Sequence, residues 1–174
     1  MIMKTMSNKN IKLRKLKSSD KFILAKLLNN RKIWNNLSNR IPYPYGVKDA
    51  EKFIEFVNDE DKENIFAIEY FNNFCGVIGL TLQVDIHKHS AELGYWLGEI
   101  YWKKGIITEA IKLITKYGFN ELNLSRIYAR VFENNIASMR ALEKNGYSKE
   151  GILIKAVLKN GVLLDEHRYF ILRN

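Results

Sequence analysis

Apolar and polar positions along the chain change period several times, and each change marks an element. Residues 11–16, Ile-Lys-Leu-Arg-Lys-Leu, alternate between apolar and basic, which predicts a strand with one buried face. Ser18, Ser19 and Asp20 then offer helix caps, and Phe22, Ile23, Ala25, Leu27 and Leu28 supply the apolar face of a first helix. A short helix over 31–37 follows. The run Ile41-Pro42-Tyr43-Pro44-Tyr45-Gly46 must be a loop, because each proline removes a donor and restricts the residue before it. From Val47, the spacing of Ala50, Phe53, Ile54 and Val57 predicts an amphipathic helix, with Asp49 and Glu51 favourably placed in its first turn. Apolar runs over 64–70 and 75–85, separated by Asn72-Asn73, predict a hairpin in the middle of a sheet.

The stretch from Ala91 to Phe119 organises the rest. Its first part, Ala-Glu-Leu-Gly-Tyr-Trp-Leu-Gly, reads as a strand in which Gly94 suggests a bulge or a close backbone approach. Its second part is helical, since Ile107, Ala110, Ile111, Ile114 and Tyr117/Gly118 recur at helical spacing. A strand that feeds a helix through a loop containing Gly105 leaves N–H groups without partners at the helix start, a cluster that attracts anions. A phosphate-bearing ligand is the expected occupant. Downstream, 125–132 alternates with Ile127, Ala129 and Val131 on one face and Arg126, Tyr128 and Arg130 on the other. Asn134 or Asn135 caps a helix that stops at Gly146, and 150–158, the turn Asn160-Gly161 and 162–172 predict a closing hairpin.

Composition narrows the class. The 174 residues, 47% hydrophobic and 12% aromatic, suit one domain with a sizeable core, here 11–174 after a flexible segment over 1–10. No apolar run approaches the ~20 residues of a membrane span, and residues 1–10 do not have the pattern of a signal peptide, so a cytoplasmic protein is expected. A single cysteine, Cys75, excludes an internal disulfide and reads as a small buried filler. His87 and His89 have no third ligand at convincing spacing, so no metal is expected. The net charge of +9 invites a nucleic-acid reading, but six positive charges precede the first acid, Asp20, and the rest are well mixed. Nucleic acid is therefore not an expected partner. A basic surface would instead steer a polyanionic cofactor.

The order Ala91-Glu92-Leu93-Gly94-Tyr95-Trp96-Leu97, then Tyr101-Trp102-Lys103-Lys104-Gly105-Ile106-Ile107-Thr108-Glu109-Ala110, resembles the acetyl-CoA signature of the GNAT N-acetyltransferase superfamily. The likeness is to its ribosomal-protein N-terminal (alanine) acetyltransferase branch, and continues through Glu133–Ser138 and Glu143–Tyr147. The resemblance implies an α/β (α+β in some conventions) single domain with a mixed, mostly antiparallel twisted sheet, helices on both faces, and central strands that splay to admit pantetheine. It implies that the edge Tyr95, Trp96, Leu97 pairs with the pantetheine arm and that N–H groups from Lys103, Lys104, Gly105, Ile106, Ile107 and Thr108 hold the pyrophosphate. Asn135 and Ser138 are the further cofactor contacts it implies. The family usually has Gln or Arg, then Gly, then Gly or Ala where this chain has Trp102, Gly105 and Ile107. Lys103 or Lys104 would offset lost contacts by pairing with phosphate.

Acetyl transfer from a thioester to an amine needs a cofactor site, a neutral amine, support for the tetrahedral intermediate and a proton for the leaving thiolate. Glu92 matches a glutamate that serves some family members as general base, often through water; flanking aromatics would raise its pKa, and the alternative is a carboxylate that orders the sheet or holds substrate. Where many members have a tyrosine for the thiolate this chain has Leu142, and Ser138, one turn earlier, inherits that role or only holds pantetheine. Val157 stands where the ribosomal branch often has a glutamate. By the same resemblance, the loop bearing Trp34, Tyr43 and Tyr45 lines the acceptor side, unless its tyrosines merely pack. The expected activity is direct acetylation of a primary amine, a protein or peptide N-terminus first, with a polyamine or aminoglycoside, or a CoA-binding module without turnover, as the alternatives. Monomer and homodimer stay open.

Overall fold

The structure is a computed structural model, and it describes residues 6–8, 10–58 and 64–173. Eight strands form one sheet in the order β1-β2-β3-β4-β5-β6-β8-β7. They are β1 (Met6–Asn8), β2 (Ile11–Arg14), β3 (Ile65–Tyr70), β4 (Asn73–Leu82), β5 (Ser90–Leu97), β6 (Arg126–Phe132), β7 (Ser148–Lys159) and β8 (Val162–Leu172). Every neighbouring pair is antiparallel except β5 with β6. Helices α1 (Lys21–Leu28), α2 (Arg31–Trp34) and α3 (Val47–Val57) precede β3; α4 (Ile106–Asn120) joins β5 to β6, and α5 (Ile136–Glu143) follows β6. The mixed, mostly antiparallel sheet with helices on both faces is the fold class anticipated from sequence.

Alternation along the central strands divides the interior in two. Phe66, Ile68, Ile78, Leu80, Ala91 and Leu93 turn toward α4 and α5 and form the larger core with Ile106, Ile111 and Ile114. Ala67, Val77 and Trp96 turn the other way and pack with Leu24, Leu28, Ala50 and Ile54 of α1 and α3. The period-two pattern of a strand buried on both faces is responsible, because each successive residue serves the opposite layer. Cys75 is fully buried, donates to the Ile68 carbonyl at 3.2 Å, and has its thiol pushed up to about 12, mainly by burial.

Several boundaries differ from the sequence reading for identifiable reasons. Met6–Asn8, within the segment read as flexible, pair with β2, while residues 1–5 and 9 lie outside the described residues. The strand over 11–16 stops at Arg14, whose side chain is buried despite its place on the polar face. Its guanidinium meets Asp20 at 2.7 and 2.9 Å and Glu69 at 2.5 Å, so the two carboxylates cover the charge that burial would otherwise strand. Asp20 is thus drawn into an ion pair as well as accepting the Lys17 N–H at 2.8 Å. The β3–β4 turn sits on Phe71 and Asn72, both at positive φ, one residue earlier than the asparagine pair suggested. The final hairpin turns on Asn160 and Gly161, again both at positive φ, which is the backbone a two-residue turn requires. Helix α5 ends at Glu143, and Gly146, at φ 81°, turns the chain into β7.

Candidate active site

The opening lies where the one parallel pair comes apart. Strands β5 and β6 pair only at Ser90–Arg126, Ala91–Ile127 and Glu92–Tyr128. β5 then continues to Leu97 against β4, and β6 continues to Phe132 against β8, so the two diverge and residues 93–97 have no β6 partner. In a strand hydrogen-bonded on one side, the backbone groups facing the other side are open to a ligand. At the far end of this edge the Leu97 carbonyl already accepts the Trp102 indole N–H at 2.8 Å, which ties the loop after β5 to the strand.

The same loop leads into α4. Lys103 and Gly105 take left-handed backbone, φ 61° and 74°, and the position of a Cβ on Gly105 has no atom within 4 Å. Gly105 is the N-cap of α4, with no side chain bonded there, and its carbonyl accepts the Glu109 N–H at 3.2 Å. The N–H groups of Ile106, Ile107 and Thr108 precede the first intrahelical donor and form the start of a 15-residue helix, an arrangement suited to phosphate oxygens. Ile106 is buried and Ile107 is partly buried against the main core, so the branched residue at the awkward position points behind the loop. Lys103 and Lys104 are exposed at the mouth. Asn145, which sequence reasoning noticed only as part of a motif, donates to the Thr108 carbonyl at 3.0 Å and the Ala141 carbonyl at 2.8 Å, and so fixes the first turn of α4 against α5.

Two clusters flank the opening, one on each face of β5. On the α4/α5 face, the Tyr95 phenol reaches Ser138 Oγ at 2.7 Å. Burial pushes the Tyr95 phenol up to about 12, with the serine contact opposing the shift. Asn135 caps α5 by accepting the Ser138 N–H at 3.2 Å, which leaves its amide nitrogen and a second lone pair on Oδ1 for the cofactor arm. Leu142 is fully buried among apolar residues.

On the opposite face, Glu92 is gripped by the Arg130 fork, Nε to Oε1 at 2.8 Å and Nη2 to Oε2 at 2.9 Å. Tyr128, the in-register neighbour on β6, supplies an aromatic flank whose own pKa is raised by burial and by Glu92, and the carboxylate raises the Arg130 pKa through the fork's hydrogen bonding. Arg168 lies directly across from Arg130 on β8 and approaches Glu166 at 3.4 Å. Two residues beyond Glu92, Gly94 pairs in register with Gly79; there is no bulge, and the position of a Cβ on Gly94 meets nothing within 4 Å. The bare backbone there faces open space, so of the two expectations for Gly94 the bulge is the one set aside.

The loop residues separate. Tyr45 is buried in the core under α1 and α3, its phenol pushed up to about 12 chiefly by burial. Trp34 and Tyr43 lie together, ring centroids 5.4 Å apart, with the Arg31 guanidinium over both. Lys159, from the tip of the final hairpin, places Nζ 3.5 Å from the Trp34 ring centroid and donates to the Leu37 carbonyl at 2.9 Å and Asn39 Oδ1 at 3.1 Å. Sequence gave no sign of this buried lysine, because its partners lie some 120 positions away. Burial lowers its pKa, and Arg31 adds to the effect.

A parting parallel pair and an open helix start at the end of the loop that leaves β5 suit an extended, phosphate-bearing ligand. The acetyltransferase (GNAT) domain family matches residues 10–148, and the chain belongs to that family. It is 30% identical to the uncharacterized N-acetyltransferase p20 of Bacillus licheniformis, over 98% of this chain and 97% of that one. It is 29% identical to the spermidine N(1)-acetyltransferase of Escherichia coli, over 87% and 80% respectively. The structure of the ribosomal-protein-S5-alanine acetyltransferase from Vibrio fischeri superposes with a TM-score of 0.86 at 22% identity, covering 98% of this chain and 97% of that one. Acetyl-CoA is the cofactor of the family, and solved neighbours hold it or CoA. Among the described residues no helix is long and apolar enough to cross a membrane.

Proposed function

We propose that the protein transfers acetyl from acetyl-CoA directly to a primary amine, with a protein or peptide N-terminus as the acceptor class. The observation that carries the site is the divergence of β5 and β6 after three residue pairs, on the strand whose following loop leads into the first turn of α4. Pantetheine fits along the bare edge of β5 from Tyr95 to Leu97, and the pyrophosphate on the amides from Lys103 to Thr108. The departures from the family pattern are accommodated locally: Trp102 bonds the strand end, Ile107 packs into the core, and Leu142 is a core residue. This favours turnover over a module that only binds CoA.

The acceptor enters on the face of Glu92, over the exposed backbone of Gly94. The guanidinium fork and the Tyr128 phenol together leave an acceptor direction on the Glu92 carboxylate for a water, so Glu92 can draw a proton from an ammonium through that water. The free amine attacks the thioester carbonyl, the tetrahedral intermediate collapses, and the electron pair of the C–S bond leaves on sulfur beside Ser138. The nearby carboxylates, Glu92 and Glu166, each have an arginine partner, so this wall offers little unbalanced negative charge to a polyamine or an aminoglycoside. An N-terminus carries a single ammonium and needs no acidic cluster.

Free thiol release from acetyl-CoA with N-terminal peptides, polyamines and aminoglycosides tests the reading. N-terminal peptides should turn over fastest, with acetyl found on the α-amine by mass spectrometry. Faster turnover of spermidine would reassign the acceptor, and no turnover with any amine would leave a CoA-binding module. Hydrogen exchange tests the cofactor site separately: CoA should protect residues 98–119.

A further inference from the structure

We propose that Tyr95 is a positioning residue for acetyl transfer, its phenol orienting the Ser138 hydroxyl so that the serine proton faces the departing CoA sulfur. The inference rests on the reading of the β5–β6 opening as the thioester site. Its basis is the 2.7 Å contact between the Tyr95 phenol oxygen and Ser138 Oγ, which spans from the unpaired part of β5 to the first turn of α5. The opening is therefore crossed at one point by a pair of hydroxyls.

A serine hydroxyl rotates freely, with one proton and two acceptor positions. When the phenol donates to Oγ, one acceptor position is filled and the serine proton must point elsewhere. Tyr95 can hold that role at any working pH, because burial keeps it protonated and its ring is packed against the main core. Ser138 is fixed from behind as well, by the Asn135 cap on its N–H. The three buried phenols of this core are committed: Tyr117 donates to Asn64, Tyr147 pairs with Thr115 at 2.8 Å, and Tyr169 donates to Glu143. With Leu142 buried and apolar, Tyr95 reaching in from the strand supplies the phenol that helix α5 lacks.

The bookkeeping of the step is simple. The C–S bond breaks and its electron pair goes to sulfur; Ser138 donates a hydrogen bond to the thiolate and keeps its proton. The acceptor nitrogen gives up two protons, one from the ammonium before attack and one from the tetrahedral adduct, both on the opposite face by way of Glu92 and its water to solvent; the thiolate takes one proton from water on release. Neither Tyr95 nor Ser138 changes its protonation state over the cycle.

The test is Tyr95→Phe, which removes the hydroxyl and leaves the ring in the core. Its kcat with acetyl-CoA should fall roughly tenfold to a hundredfold, the scale of a hydrogen bond to a charged group, while KM for acetyl-CoA stays within about twofold. The loss should shrink with an acetyl thioester whose leaving thiol is more acidic. The double variant Tyr95→Phe/Ser138→Ala should be no slower than Ser138→Ala, because the two hydroxyls act as a unit. A readout independent of turnover is the titration of bound CoA, followed by thiolate absorbance. The thiol should ionise at lower pH on the wild-type protein than free in solution, and return toward the free value in either single variant. Unchanged kcat and unchanged thiol titration in Tyr95→Phe would overturn the proposal, as would additive losses in the double variant. If the wild type acetylates no amine yet the thiol titration moves as described, the acceptor chemistry fails and the role of Tyr95 stands.

Discussion

The two faces of β5 solve different problems with different materials. Toward α4 and α5 the ligand-facing groups are largely backbone: the unpaired edge past Glu92 and the first turn of α4, with two hydroxyls between. On the opposite face, the groups are charged side chains drawn from separate strands, Glu92 from β5, Arg130 from β6, and Arg168 with Glu166 from β8. A cofactor of constant shape needs amides held in constant geometry, which any sequence that keeps the loop can provide. An acceptor is recognised by charge and size, which only side chains encode. The lesson is that one strand can carry both because its alternation sends neighbouring residues to opposite layers.

The sharpest way to break this division is at Ser138. Ser138→Ala should lower kcat about a hundredfold or more, the scale of losing one fixed donor to a developing anion, with the fold weakened by only about 1 kcal/mol, the cost of one ordinary hydrogen bond. A raised KM for acetyl-CoA at wild-type kcat would make the serine a pantetheine contact only. On the other face, Glu92→Gln should slow the reaction about tenfold near neutral pH, because an N-terminal amine with a pKa of about 8 is only about a tenth neutral there. Activity should recover above about pH 8, where an N-terminal amine is already neutral. A pH–rate profile checks it, and equal loss at every pH would point to a binding or structural role.

A smaller effect tests whether the sides are independent. Lys159→Met removes the clasp between the hairpin tip and the α2 loop while keeping an apolar stem of similar length. The acceptor KM should rise a few-fold, about the value of one or two hydrogen bonds, and KM for acetyl-CoA should stay put. If both constants move together, the faces are coupled.

The smallest effect concerns stability in alkali. Tyr45 and Tyr95, one in each layer, are both pushed up to about 12, from an ordinary value near 10. Below pH 10 the folded and unfolded chains both keep these protons, so the stabilisation is complete. Between pH 10 and 12 only the unfolded chain loses them, so unfolding becomes easier as pH rises. Denaturant midpoints should therefore change little between pH 7 and 9 on their account and fall from pH 10 to 12, less steeply in Tyr45→Phe and Tyr95→Phe.

What was legible in the sequence follows the same division. The segment from β5 into α4 was readable because a periodic helix and a glycine at its start are local signals. Gly105, Ile106 and the hairpin turn at Asn160-Gly161 fall where the pattern placed them. The acceptor side was not readable, because it depends on register. The alternation over 125–132 already put Tyr128 and Arg130 on one face, but only the parallel pairing of Glu92 with Tyr128 brings Arg130 onto the carboxylate. The Tyr95–Ser138 contact was hidden for the same reason: both residues were noticed, one for its backbone and one for its hydroxyl, without a sign that they meet. Arg14 is a further case, a residue on the polar side of an alternating strand that two distant carboxylates bring indoors.

The clasp at the hairpin tip also sets an order of assembly. The cofactor side comes from one continuous stretch, residues 90–145, whose contacts close over short loops. The acceptor wall joins Leu37 and Asn39 to Lys159, and Asn35 to Asn160, across 120 to 125 positions. Closing so long a loop costs entropy before any contact rewards it. During synthesis the chain emerges from its N-terminus, so Trp34 and Tyr43 wait uncovered until the hairpin tip has been made. On the proposed reading, the growing chain carries the parts of a place for acetyl-CoA before it has walls that can choose an amine.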